Sequence, residues 1–322
     1  MSVPEIFQNT RLPVVAAPMF LVSGPELVLA SCKAGITGTF PALNQRTTEG
    51  FREWVVDIKD ELAKFAEENP DAPVGPFGVN LIVHRSNPRM RADLEVCVEQ
   101  EVPLVITSLG AVTEVVDAVH SYGGVVFHDV TNRRHAQKAA EAGVDGIVLV
   151  AGGAGGHAGT TNPFALLSDI RPVFDGTIIL AGALSTGRDI AAAKAMGADL
   201  AYMGTRFIAT AESRGQDAYK EMICEARPED IIHTPAVSGV PANFMRQSLE
   251  QNDFDMEKLL DPGQVDFGEK LTVSDEAKAW KTVWSAGHGV SAIDEVPSVA
   301  ELVDRLEAEY LEACRELAAE VG

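Results

Sequence analysis

The chain is poor in cysteine and in positive charge, and it has no long apolar run. Four cysteines in 322 residues, Cys32, Cys97, Cys224 and Cys314, form neither a Cys-x-x-Cys pair nor a set at metal-ligand spacing with histidine, so no metal site is expected. They read as reduced thiols of a cytoplasmic protein. Lys and Arg number 26 against 47 Asp and Glu, a formal net charge of -21. A surface of that sign repels nucleic-acid phosphates and anionic membrane faces, so neither is expected as a partner. No stretch approaches the roughly 20 apolar residues of a membrane span. The opening Met1-Ser2-Val3-Pro4-Glu5 has no basic region ahead of an apolar one, so no secretory signal is expected. Also missing are HExxH, a Walker loop, a Ser-His-Asp order and the paired carboxylates of a hydrolase.

What is present is a regular alternation of short apolar runs with helix-period segments. The runs are Val14 to Met19, Gly38 to Ala42, Phe77 to Leu81, Leu104 to Leu109, Val125 to Val130, Ile147 to Ala151, Ile178 to Gly182 and Leu200 to Gly204. Runs that are β-branched and apolar at successive positions read as strands buried on both faces of a parallel sheet. Helix starts are marked by Gly24-Pro25, by Asn162-Pro163, and by Ser185 as a cap for Thr186 to Met196. Repeated βα units leave an open doubly wound sheet or a closed barrel. Eight units in about 200 residues without a composition break favour closure, so the expected fold is α/β, a (β/α)8 TIM barrel. Gly153-Ala154-Gly155-Gly156-His157-Ala158 fits the dinucleotide fingerprint G-x-G-x-x-A formally, but it follows the sixth strand and its helix begins too late.

The alternation stops after Phe207. The barrel is expected over 1–210 and an inserted cap over 211–275, where Pro228, Pro235, Pro241 and Pro262 interrupt a more polar stretch. C-terminal helices over 276–322 would complete the barrel. There Val299, Leu302, Val303, Leu306, Tyr310 and Leu317 form one apolar stripe, which either covers the barrel or meets a second copy in a homo-oligomer.

In such a barrel the functional face lies at the carboxyl ends of the strands, which points to Pro18-Met19, Asn80, His128, the 152–157 loop, Gly182-Ala183 and Gly204-Thr205. The turns after the seventh and eighth strands stand where barrels often grip a phosphate with loop amides, and the Thr205 hydroxyl adds a donor. Each glycine pair taken alone also reads as a tight turn. His157 reads as catalytic or substrate-binding, since its glycine surroundings serve no packing purpose; the plain alternative is a surface histidine. Asn80 could face a heteroaromatic edge or cap a turn. His128 and Asp129 alternate sides of a strand, so only one faces the barrel interior. A phosphate grip, a glycine shelf and one histidine suit a phosphorylated cofactor that carries the chemistry itself.

Pro13-Val14-Val15-Ala16-Ala17-Pro18-Met19, Phe77-Gly78-Val79-Asn80, Gly155-Gly156-His157-Ala158-Gly159, Ala181-Gly182-Ala183, Met203-Gly204-Thr205-Arg206-Phe207 and Trp284-Ser285-Ala286-Gly287 together resemble the nitronate monooxygenase family, also called 2-nitropropane dioxygenase-like. The resemblance implies a barrel that binds FMN. Its phosphate would be held by Gly182, Ala183, Gly204 and Thr205, and its ring would lie near Ala17, Pro18, Met19 and Asn80, with Gly156 and His128 also at the cofactor. His157 corresponds to the family's active-site histidine. The implied reaction oxidises a small nitronate with O2 to a carbonyl compound and nitrite. Flavin-dependent enoyl thioester and quinone reductases using NAD(P)H share the same pieces. Three positions depart from the pattern: Asp129 stands where relatives often carry Lys, Ala183 replaces a second glycine, and Asn243 in Gly239-Val240-Pro241-Ala242-Asn243 replaces an Arg.

Overall fold

Nine short strands fall within the first two thirds of the chain, and eight of them form the barrel. They are β1 (Val14–Ala16), β2 (Thr37–Pro41), β3 (Phe77–Ile82), β4 (Leu104–Ser108), β5 (Val125–Val130), β6 (Gly146–Val150), then β7 (Gly156–His157), β8 (Thr177–Ala181) and β9 (Leu200–Met203). The computed structural model describes residues 3–321 apart from Arg85, Ala111, Val112, Ser238 and 261–281. All the strands except β7 pair in parallel and close into a barrel, the ring being sealed by β1 against β9 with Val15 opposite Tyr202. Closure excludes the open-sheet alternative. The Gly153–Ala158 loop turns back as β7 instead of entering a helix, so the dinucleotide fingerprint has no counterpart here.

Alternation along each strand sorts side chains into two apolar layers. Val15, Leu104, Ile106, Phe127, Val148, Ile179 and Leu200 pack inside the barrel. Phe7, in the short 3-10 turn Glu5–Phe7, joins them and sets its ring 5.7 Å from that of Phe127, closing the barrel floor. The neighbouring positions Val105, Val126, Val130, Ile147, Leu149, Ile178 and Leu180 face the surrounding helices. Burial on both faces explains why these strands read as continuous apolar runs.

Pro25 and Pro163 each open a helix, Pro25–Lys33 and Pro163–Ile170, with Gly24 and Asn162 as the residues before them. The helix after β8 departs from expectation by one residue. Thr186, not Ser185, caps Gly187–Met196, and Thr186 and Asp189 hold each other's backbone N–H groups in a capping box. The C-terminal helix Val299–Val321 lies on this helix, burying Val299, Leu302, Val303 and Leu306 with Ile190 and Phe207. The first part of the apolar stripe therefore covers the barrel, while Leu317 stays half exposed.

Beyond β9, Arg206 is buried, and its guanidinium donates to the carbonyls of Ala209 at 2.7 Å and Glu295 at 2.9 Å. Within the expected cap, β10 (Ile231–Thr234) and β11 (Ala242–Met245) form an antiparallel hairpin, and β11 also pairs with β7. Residues 261–275 of the expected cap lie outside the described residues.

The contact between Gly187–Met196 and the C-terminal helix leaves no room for a side chain at Gly187. An added Cβ would stand 2.1 Å from the Leu306 carbonyl oxygen and 2.4 Å from the Tyr310 nitrogen. Gly187→Ala is expected to lower the unfolding free energy by about 1–3 kcal/mol, read from the midpoint of a denaturant titration; an unchanged midpoint would contradict this packing.

Candidate active site

The carboxyl ends of the barrel strands open on a cleft of about 2530 Å³. Ala17, Pro18 and Met19 line it after β1, Asn80 from β3 and His128 from β5. Gly156 and His157 of β7, Gly182 and Ala183 after β8, and Gly204 and Thr205 after β9 line it as well. The structure thus gathers these eleven expected site residues around one opening.

β8 and β9 are neighbours, with Ala181 opposite Tyr202, so the turns that follow them lie side by side. Gly182 has φ 134°, and a Cβ there would come within 3.1 Å of the Gly152 carbonyl oxygen, so the turn requires glycine. At Gly204 an added Cβ would make ordinary van der Waals contacts with Ala17 Cβ and Met19 Sδ, each at 3.7 Å. Packing within the protein therefore does not demand a glycine at 204, and its bare face lies open to the cleft. Ala183 adopts a left-handed φ of 58°. Its amide, expected to remain available to a ligand, donates instead to the Gly153 carbonyl at 3.2 Å.

Two hydroxyl groups stand in the same corner. Thr205 Oγ1 accepts from the Gly287 amide at 2.9 Å, which leaves its own proton to donate. Ser185 is 3% exposed, lines the cleft, and its Oγ has no hydrogen-bond partner among the described residues. It is released from capping because Thr186 does that work, and it was missed as a site residue for that reason. An orphaned hydroxyl and a second hydroxyl with a free proton, beside the Gly182 and Gly204 turns, fit a phosphate and supply donors that the acidic chain otherwise lacks.

His157 is half-buried on β7, and burial pushes its pKa below the usual 6.5. β7 owes its extended form to the hairpin, since Ala242 pairs with His157 and Asn243 with Gly156. The side chain of Asn243 strengthens this join. Its Nδ2 donates to the Ala154 carbonyl at 2.6 Å, while its Oδ1 lies 2.9 Å from His233 Nδ1. The residue that departs from the family's Arg thus fastens the hairpin to the histidine loop.

On β5 the inward position belongs to Asp129, two residues beyond Phe127 of the barrel interior, whereas His128 shares the outward side with Val126 and Val130. His128 borders the cleft from that outer side, with Nδ1 2.7 Å from Thr107 Oγ1. Burial, then the nearby His135, lower its pKa to about 4, so it is neutral at physiological pH. The inward rim is polar: Asn80 Nδ2 donates to Ser108 Oγ at 2.7 Å, and Ser108 donates to Asp129 Oδ2 at 2.5 Å. Asn80 is therefore fixed by a neighbouring strand and caps no turn. Ser108 and Tyr202, both on the cleft wall, gave no separate signal in the sequence. Farther out, Tyr219 and Trp284 stack with centroids 5.0 Å apart and planes 12° from parallel.

A closed parallel barrel with an imidazole, a fixed amide and two hydroxyl groups around its strand ends defines the class of fold, a TIM barrel with its cleft at the carboxyl ends of the strands. The family model described as nitronate monooxygenase matches residues 4–309, and the chain belongs to that family. A nitronate monooxygenase of Paraburkholderia phytofirmans is 26% identical, the match covering 95% of this chain and 94% of that protein. A (3aS,4S,5R,7aS)-5-hydroxy-7a-methyl-1-oxo-octahydro-1H-indene-4-carboxyl-CoA dehydrogenase of Rhodococcus jostii is 30% identical over 237 residues. That match covers 74% of this chain but only 63% of the dehydrogenase. Among solved structures, FabK from Thermotoga maritima superposes with a TM-score of 0.78 at 25% identity, covering 98% of this chain and 97% of FabK.

Asn243→Ala would leave the Ala154 carbonyl without its side-chain donor and His233 without its partner. Backbone amides of 154–159 are expected to exchange with solvent about five- to 150-fold faster, as follows from losing about 1–3 kcal/mol of local hydrogen bonding. Hydrogen-exchange mass spectrometry reads this directly, and unchanged exchange would show that the strand pairing alone holds β7.

Proposed function

We propose that the protein oxidises small alkyl nitronates with O2 to a carbonyl compound and nitrite, using FMN. The observation that carries this reading is the neutral imidazole of His157, held on a strand at the same cleft as the phosphate corner. The Paraburkholderia relative supports the substrate class.

Bound FMN supplies a ring that takes electrons from the substrate and passes them to O2. Everything else falls to the chain. Gly182, Ala183, Gly204 and Thr205 hold the phosphate, joined by Ser185, while Ala17, Pro18, Met19, Asn80 and Gly156 border the ring. Ala183 serves in this set through its left-handed turn, its amide being engaged with Gly153. His128 acts from the outer side of β5, through its hydrogen bond to Thr107, as a support for that wall.

A neutral imidazole carries one lone pair and one N–H, so His157 can act in two ways. It accepts the proton from the carbon beside a nitro group, or it donates its N–H to an oxygen of a substrate already ionised. Burial keeps the ring in the neutral form that both roles need below the pH at which a free histidine would charge. We assign the described residues of 211–260 to a cap that shapes specificity, with the hairpin of β10 and β11 as its edge over the cleft.

A second reading is an NAD(P)H-dependent FMN reductase of an enoyl thioester or quinone. It draws on the Rhodococcus relative, whose name specifies a carboxyl-CoA substrate.

Flavin-loaded protein is expected to consume O2 with propyl nitronate, and His157→Ala to keep its flavin while losing about 10²–10⁴-fold in kcat/KM. Flavin-loaded protein inert toward every nitronate would overturn the first reading; anaerobic bleaching of its flavin by NADH or NADPH would favour the second. With a nitroalkane as substrate, kcat/KM should fall on the acid side with an apparent pKa below 6.5, where His157 gains its proton. That acid limb should be absent from whatever activity remains in His157→Ala.

A further inference from the structure

The inward rim holds one acid that the reading above leaves without a task. Asp129 is the penultimate residue of its strand at the barrel mouth, where Oδ2 accepts a hydrogen bond from Ser108 Oγ at 2.5 Å. Its other oxygen, Oδ1, is closed off from water and has no hydrogen-bond partner among the described residues. Leaving such an atom unmatched costs about 1–3 kcal/mol, and more when the group is charged. A carboxyl so placed calls for a proton, a ligand, or both.

Among the described residues, no positive charge acts on this carboxyl. β4 presents Ser108, and β3 presents Asn80, which holds Ser108 and donates also to the Ile106 carbonyl at 3.1 Å. β6 offers apolar Val148 and Val150, and β9 offers the Tyr202 phenol, whose ionisation the Asp129 charge opposes. His157 borders the same cleft from β7, while His128, with His135 near it, stands on the outer side of the strand. Burial raises the Asp129 carboxyl to about 6, although the Ser108 hydrogen bond works in the opposite direction.

We propose that Asp129 is a proton-holding residue for the bound flavin: its carboxyl, positioned by Ser108, takes up a proton as the ring gains electrons and, once neutral, donates from Oδ1 to an acceptor atom on the ring edge. The proposal rests on FMN being the occupant of the cleft. The electrons come from the substrate, or in the test from a chemical reductant, and the proton comes from solvent. No covalent bond is made to the carboxyl. An ionised Asp129 disfavours negative charge on the ring, and a neutral one favours it. Reduction and protonation of Asp129 are therefore linked, each drawing the other.

The test is the reduction potential of FMN bound to the holoprotein, followed against pH by equilibration with reference dyes. The wild type should show a break near or above about 6, where Asp129 titrates. Asp129→Asn, a neutral isostere, should lack that break, match the wild type on the acid side and hold a higher potential on the alkaline side. Each unit by which the carboxyl's ionisation differs between the two ring states appears as about a tenfold change in the reduced-to-oxidised ratio at fixed poise. Ser108→Ala removes the bond that favours the ionised form, so its break should move to higher pH, a shift that a purely structural role would not produce. A wild type without a break, an Asp129→Asn protein with the same break, or a Ser108→Ala break that stays or moves down each overturns the proposal. Should Asp129→Asn fail to fold, the wild type and Ser108→Ala decide it. A protein that takes up no FMN overturns the cofactor reading and this proposal with it; flavin-loaded protein with the wrong pH profile overturns this proposal alone.

Discussion

Closure of eight parallel strands is the constraint from which the rest follows. In a closed ring every strand residue points either into the barrel or toward the helices, and there is no third side. The interior is filled from below by Phe7 and through its middle by Leu104, Ile106, Phe127, Val148, Ile179 and Leu200. The polar side chains with which the barrel strands border the cleft stand toward the carboxyl ends of those strands. Asn80, Ser108, Asp129 and Tyr202 form this polar tier; Ile106, Phe127 and Leu200 lie two residues earlier beneath the last three, and Gly78 beneath Asn80. The low-polarity floor makes their hydrogen bonds count and keeps the imidazole neutral and the carboxyl hard to ionise.

Around this tier the chain returns repeatedly to one carbonyl. Gly153 O accepts from the Ala183 amide and from the His288 amide, and the Gly287 amide beside it reaches Thr205. The approach is close enough that a Cβ at Gly287 would lie 2.4 Å from that carbonyl. Three segments far apart in sequence, after β6, after β8 and ahead of the C-terminal helix, are thereby locked into one corner. Arg206 makes a parallel connection from beneath, joining the end of β9 to Glu295.

Much of this was legible in the amino-acid order. All eight barrel strands could be read, because burial on both faces demands runs of apolar residues, and Pro25 and Pro163 marked helix starts through their fixed φ. The strand ends read long. The expected run to Met19 stops at Ala16, since Pro18 and Met19 stay apolar after the backbone has left the ladder. The hairpin of β10 and β11 was hidden, its four-residue strands being flanked by Pro235 and Pro241 and thus reading as irregular. Alternation required that only one of His128 and Asp129 face inward, but which one depends on the barrel's register, and register is a property of closure rather than of any single strand. Ser185 was placed at the wrong end of its task because Ser and Thr are near-equal caps, and only the reciprocal bond from Asp189 separates them.

The pairing of β11 with β7 gives the histidine an unusual dependence. A strand slips by whole residues or not at all, and a slip of one would turn the imidazole to the opposite face. The mount of His157 is therefore digital, whereas the walls around it can vary in small increments. Sequence drift in the connection between the two hairpin strands can widen or narrow the entrance while the imidazole keeps its place at the cleft.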